Sequence, residues 1–293
     1  MSTAFIGEGY FDIINCDAAQ LKANTNLIKL RQIPGSIKSS NITYEFCLIP
    51  NAGFLGNEDL LLKDTELKLS FDRTLPELSL LADPAPESVA SIEIADCYAV
   101  TEYVSSPEVR KYFDTIDTQP LRFEFEDCEV YTKQISQDET NIRFDNLRGG
   151  NTPSHMFVGL IQSAALNGDL SKSSTRFSCH GVNKMNISLN GNSVNGYPLK
   201  IHNGISTKAL TKFIECTNRI CNISTGQMMT DSEFAYNWLW SHCFESEETS
   251  RGWIGIDFEL ETAFSEPMTM VVWVISPAAI TVDKFHQIEK INM

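Results

Sequence analysis

RGWIGIDFEL, residues 251–260, decides the fold class. Ile254, Ile256, Phe258 and Leu260 share one parity, while Asp257 and Glu259 take the other. A period of two marks a strand with one face in a core and the other in water. TELKLSFDR (65–73) repeats the pattern, with Leu67, Leu69 and Phe71 alternating with Glu66, Lys68, Ser70 and Asp72. LRFEFEDCEVY (121–131) starts in the same way, with Leu121, Phe123 and Phe125 opposite Arg122, Glu124 and Glu126. Its later apolar positions, Cys128 and Val130, fall on the other parity, so a β-bulge is expected near Asp127.

Two stretches are apolar on both faces. HMFVGLIQ (155–162) sets Met156, Val158 and Leu160 against Phe157 and Ile161; MTMVVWVIS (268–276) sets Met268, Met270, Val272 and Val274 against Val271, Trp273 and Ile275. Such strands are expected at the centre of a sheet, covered by a second sheet or by a neighbouring subunit. Further strands read at 44–49 and 91–104, and KMNISLNGNSV (184–194) reads as a hairpin turning at Asn190-Gly191. Helix is scarce. STKALTKFIECTNRI (206–220) opens on a capping Ser206 or Thr207, and TDSEFAYNWLWSHCF (230–244) opens on Thr230 or Asp231, with Phe234, Trp238 and Cys243 as its buried positions. Pro84 and Pro86 interrupt the periodicity, which places a boundary there. The expected architecture is all-β: an antiparallel β-sandwich of jelly-roll type with a short helical insertion. Residues 1–84 form an N-terminal β segment, and residues 85–293 form the jelly roll, with a helical excursion at about 206–244.

Composition narrows the function. The chain has 293 residues, 23 Lys+Arg and 38 Asp+Glu, so its net charge is 23 − 38 = −15. A surface of that sign repels a polyanion, and direct nucleic-acid binding is not expected. The apolar run Met268–Ile275 is too short for a membrane span, and the first residues lack a basic start and a long apolar core. The expectation is a soluble protein made without export. The eight cysteines contain no C-x-x-C pair. Cys216 and Cys221 are the closest together, and a zinc site on them would have to recruit His242 or Cys243. Buried free thiols are the preferred reading.

The search for catalysis finds little. No nucleophile elbow, phosphate loop, dinucleotide fingerprint or H-E-x-x-H is present, and the five histidines are never paired at ligand spacing. Cys179 and His180 are neighbours and would face opposite ways on a strand. Glu124 and Glu126 share a face, but a solvated face beside Arg122 accounts for them. Glu245, Glu247 and Glu248 read as a surface loop without calcium-loop spacing. No catalytic residue, metal or cofactor is expected.

The stretch HMFVGLIQSAALNGDLSKSSTRFSCHGVNKMNISLNGNSV (155–194) is more specific. It resembles a segment of the capsid proteins of Polinton/Maverick elements and adintoviruses. There an apolar strand with Gly runs into an Ala-x-Asn-Gly turn, a Phe and a His-containing stretch follow, and an alternating strand ends in an Asn-Gly hairpin. The matching positions are Gly159, Ala165, Asn167, Gly168, Phe177, His180, Asn190 and Gly191, all of them turn or packing residues. SIEIADCYAVTEYVSSPEV (91–109), LLLKDTELKLSFDR (60–73) and MVVWVISPAAITVD (270–283) are similar in order to the strands around that segment. Members of the family carry a longer N-terminal part, so a shortened or domesticated relative, or a minor subunit with one complete jelly roll, is expected.

The resemblance implies a structural capsid protein of the hexon-like major type. It would assemble inside the host cell, in cytoplasm or nucleus, and reside in the virion. Its partners would be its own copies, as a homotrimer, and other capsid subunits. The alternative is a cytoplasmic β-sandwich module that binds glycans or a protein. For that reading, Trp238, Trp240, Trp253 or Trp273 would have to offer an exposed stacking platform, whereas core or interface anchoring is the preferred role.

Overall fold

Alternation is realised as strands in each described stretch where it was read. The structure, a computed structural model, describes residues 114–169, 171–220, 229–244, 251–285 and 287–292. It also describes positions 27–28, 31–33, 46–47, 91–93, 107 and 111. In the early part β1 (Leu27–Ile28) pairs with β3 (Phe46–Cys47), and β2 (Arg31–Ile33) pairs with β4 (Ser91–Glu93). The strand read at 65–73 and the boundary at 84/85 lie outside the described residues.

From residue 121 the strands follow in close succession. They are β5 (Leu121–Ile135), β6 (Asn141–Phe144), β7 (Gly149–Gly150), β8 (His155–Gln162), β9 (Val182–Leu189), β10 (Asn192–Ser193) and β11 (Leu199–Lys200), then β12 (Trp240–Cys243), β13 (Gly252–Leu260), β14 (Met268–Val282) and β15 (Ile288–Asn292). One sheet has the order β10-β9-β13-β6, with β11 also on β9 and β7 on β13. The other has the order β12-β8-β14-β15, with β5 on β14.

Take the principal strands in chain order as β5, β6, β8, β9, β11, β12, β13 and β14. One sheet then holds the first, eighth, third and sixth, and the other holds the second, seventh, fourth and fifth. This interleaving is the jelly roll: the chain crosses between sheets at almost every connection, so neither sheet forms without the other. The fold is all-β and antiparallel, as expected.

The chain divides into two compact units. One, residues 128–167 and 173–276, holds the core between the two sheets. Val158, Leu160, Met270 and Val272 from one sheet meet Met185, Ile187, Ile256 and Phe258 from the other, all at 1% exposure or less. The other unit comprises residues 1–127, 168–172 and 277–293. In it Leu121 and Phe123 pack with Val282, Ile116 and Ile280. β15 pairs there with the end of β14, and Lys290 reaches Asp127 at 2.6 Å.

That ion pair accompanies one departure from the sequence reading. β5 keeps a single parity from Leu121 to Ile135, with no shift at Asp127. Lys290 satisfies the inward Asp127 carboxylate, and the strand turns Cys128 and Val130 out to solvent. Val130 is 55% exposed, so two apolar letters on the wrong parity signalled surface and not a bulge.

A second correction concerns the helices. α1 (Ser163–Leu166) is a single turn outside the 206–244 stretch; α2 (Thr207–Ile220) and α3 (Asp231–Tyr236) lie within it. Ser206 Oγ accepts the Ala209 N–H at 3.4 Å, as its capping position predicts. Thr230 and Glu233 form a reciprocal capping box. The second helix was expected to continue through Trp238 and Cys243, but it ends at Tyr236. Asn237 leaves the helical region at φ −139° and ψ 77°, and its Oδ1 accepts the Phe177 N–H at 3.1 Å. Residues 240–243 then form an edge strand on β8, which pairs their backbone with residues 155–158.

The third correction concerns cover. The outward faces of β8 and β14 were expected to need a second sheet or a neighbouring subunit. The chain supplies part of that cover itself: Ile161 and Val271 pack against Ala165 of α1, with Leu166, Phe177 and Trp273 around them. Phe157, also outward, meets the Phe213 ring of α2 edge-on at 6.3 Å.

Candidate functional site

The residues of the 155–194 segment separate into two groups. Gly159, Ala165 and Phe177 converge on the outward face of β8. A Cβ on Gly159 would stand 2.6 Å from Phe177 Cδ1 and 2.9 Å from Leu239 Cδ2, so only glycine lets that ring lie on the strand. The Phe177 ring meets Trp273 edge-on at 5.3 Å and 84°. Its backbone is fastened on both sides, with the N–H donating to Asn237 Oδ1 and the carbonyl accepting the Trp238 N–H at 3.1 Å. Ala165 is 2% exposed beneath it. Asn167 ends α1 and donates its N–H to the Ser163 and Ala164 carbonyls, and Gly168 follows at φ +93°.

Asn190 and Gly191 lie apart from this group, on the opposite sheet. They form the two-residue turn between β9 and β10, with φ +53° and +81°. Both positive angles fit the primed turn that matches strand twist. The Asn190 side chain also accepts the Trp253 N–H at 3.0 Å, tying the turn to β13. The sequence signalled the turn but not this second bond, since it depends on which strand lies alongside.

His180 belongs to neither group. It is in the turn before β9, at φ +46°, and not on a strand as the neighbour argument for Cys179 and His180 assumed. Burial holds its imidazole below the ordinary value, with Glu266 opposing weakly. The folded value therefore lies under the unfolded one, and the unfolded chain binds more protons in between. Stability is fully present above the unfolded value near 6.5 and is lost as pH falls through it towards the folded value. His180→Asn suits the positive φ and removes the titration. The urea midpoint of the wild type should fall between about pH 7.5 and about pH 5.5 by more than that of the variant. Equal falls would remove His180 as the source.

The tryptophans divide too. Trp238 and Trp240 are fully buried, and Trp273 is half-buried. Trp253 is 56% exposed, with its ring lying on Gly149, where a Cβ would come within 2.6 Å of Cζ3. Glu124 and Glu126 are both exposed, and Arg122 pairs with Glu124 at 3.0 Å. Glu245, Glu247, Glu248 and Cys221 lie outside the described residues.

One constellation was missed by sequence reading. Cys216 of α2 and Cys243 of β12 meet, with His155 of β8 opposite Cys243 in the strand ladder. The Cys216 thiol donates to the Cys243 sulfur, which holds Cys216 well above its ordinary range and, with His155 and Arg219, draws Cys243 below its own. The sequence reading had named Cys243 as a buried position of the second helix and, with His242, as a remote partner for a zinc site on Cys216 and Cys221, not as one of a thiol pair. Among the described residues no group of three His, Cys, Asp or Glu is arranged to hold a metal ion. Nor, among them, is any helix long and apolar enough to cross a membrane.

No family model matches the chain, and no curated protein matches it. Among solved structures it is similar to viral major capsid proteins. The mavirus major capsid protein aligns at 9% identity and a TM-score of 0.44, over 81% of this chain and 55% of that one. The chain thus spans about half the length of the mavirus protein. The PBCV-1 virus capsid aligns at 8% identity and a TM-score of 0.42, over 97% of this chain and 90% of that one. The major capsid protein P2 of bacteriophage PM2 aligns at 8% and 0.35, over 92% of each.

Proposed function

We propose that this chain is a structural subunit of a viral or virus-derived shell, related to the Polinton and adintovirus capsid proteins. The observation that carries this reading is the sequence segment at 155–194. Its Gly159, Ala165 and Phe177 form one packed unit on the central strand of a jelly roll. Turn and packing residues of this kind serve a scaffold and have no reactive chemistry. Function then lies in contacts with other copies, as a homotrimer, and with other capsid subunits, without catalysis, metal or cofactor. The virion is its place, after assembly inside the host cell. Phe285 and Ile288 of one unit, at 72% and 66% exposure, support contacts with neighbours. The acidity fits a shell that leaves genome neutralisation to other proteins.

Sedimentation velocity of the purified chain at micromolar concentration, with negative-stain imaging, tests this. A trimer or larger closed assembly is the expected result. A soluble monomer at every concentration would sink it and favour the second reading, a binding module. That reading rests on Trp253, whose free ring face is suited to stacking on a sugar. Loss of glycan binding in Trp253→Ala would then be its signature.

A further inference from the structure

Cys216 is almost wholly buried, at 1% exposure, whereas Cys243 is half-buried, and neither is in a disulfide. α2 packs along β12, which brings together two sulfurs that stand 243 − 216 = 27 positions apart in the chain. The contact opens on a cavity of about 300 Å³ lined by both cysteines and by Lys208, Lys212, Glu215 and Arg219. A structural thiol in a core needs no opening and no donors. Cys243 has the opening, the Cys216 thiol beside it, His155 opposite it in the strand ladder, and the Arg219 cation on the same cavity. Together these favour the thiolate, the form that reacts.

We propose that Cys243 and Cys216 are an attacking and resolving pair, which a hydroperoxide oxidises to an intramolecular disulfide locking α2 to β12. The Cys243 thiolate attacks one oxygen of the peroxide and the O–O bond breaks. The leaving hydroxide takes a proton from solvent, giving water and a sulfenic acid on Cys243. Cys216 then attacks that sulfur, loses its proton, and expels the sulfenic oxygen as a second water. Two thiols lose two electrons in all, and one hydrogen peroxide becomes two waters. The bond closes the chain across most of the helical excursion, which restricts the unfolded state. Neither the site nor its chemistry depends on the shell reading.

The test uses the full chain treated with hydrogen peroxide, then alkylated and digested with trypsin. Cys221 and Cys243 share one tryptic peptide, so the Cys221→Ser variant assigns the link. The wild type and Cys221→Ser should both gain a bond from the Cys216 peptide to the Cys243 peptide, with melting raised by about 5–10 °C. Cys216→Ser should stop at a sulfenic acid on Cys243, trapped by dimedone. Cys243 should be consumed about tenfold faster than the exposed Cys128. Three results would overturn the proposal: no Cys216–Cys243 link in Cys221→Ser, a Cys216 link that persists in Cys243→Ser, or a link that leaves the melting temperature unchanged.

Discussion

Trp240→Ala is expected to destabilise the chain by about 3–5 kcal/mol, the cost typical of emptying a core site of that size. Trp240 is fully buried on β12, at the meeting point of the helical excursion and the two sheets. Its ring lies 5.0 Å from Phe258 of β13 and 5.8 Å from Trp238. Trp238 continues to Phe234 of α3 at 4.6 Å, and Phe234 continues to Phe213 of α2 at 5.4 Å. One aromatic file therefore fastens both helices to the sandwich, and tilted contacts of this type add to plain area burial. The Trp240 Nε1 has no hydrogen-bond partner among the described residues, so the loss is one of packing. Trp240→Phe should retain more than half of the stability that alanine loses. Urea denaturation at constant m value measures both. A loss below about 1 kcal/mol for alanine would mean that the file is not a core element.

Gly159→Ala is expected to cost about 2–3 kcal/mol, from a methyl group alone. The new Cβ would overlap Phe177 Cδ1 and Leu239 Cδ2, and Phe177 cannot withdraw easily. Its backbone is held by Asn237 and Trp238, and its ring by Trp273. Phe177→Leu shortens the offending side chain. The double variant Gly159→Ala/Phe177→Leu should therefore be less damaged than the sum of its parts, by about 1 kcal/mol or more. Strict additivity in a double-mutant cycle would show that the two residues do not form one unit. If the shell reading holds, the single Gly159 variant also loses assembly as its sandwich loosens, and the double variant regains part of it.

The strands were legible because their signal is local. Ile254, Ile256, Phe258 and Leu260 each report their burial through a period of two, whatever lies opposite. The Asn190-Gly191 turn was legible for the same reason, since positive φ at two successive residues selects those side chains. An all-β antiparallel class, the hairpin and the starts of α2 and α3 were therefore legible in the sequence alone.

What failed did so where a distant partner overrode the local pattern. Asp127 lies on the inward parity of β5 beside Lys290, and Trp240–Cys243 is a strand paired with the edge of β8. Gly159 and Phe177 were both singled out in the sequence, but only the fold shows that the bare Gly159 backbone seats the Phe177 ring. Cys216 and Cys243 came together through the packing of α2 on β12, a juxtaposition that no spacing encodes. Charge pairs, edge pairing and close approach are contacts between segments remote in sequence, so their energies come into being only when the jelly roll closes.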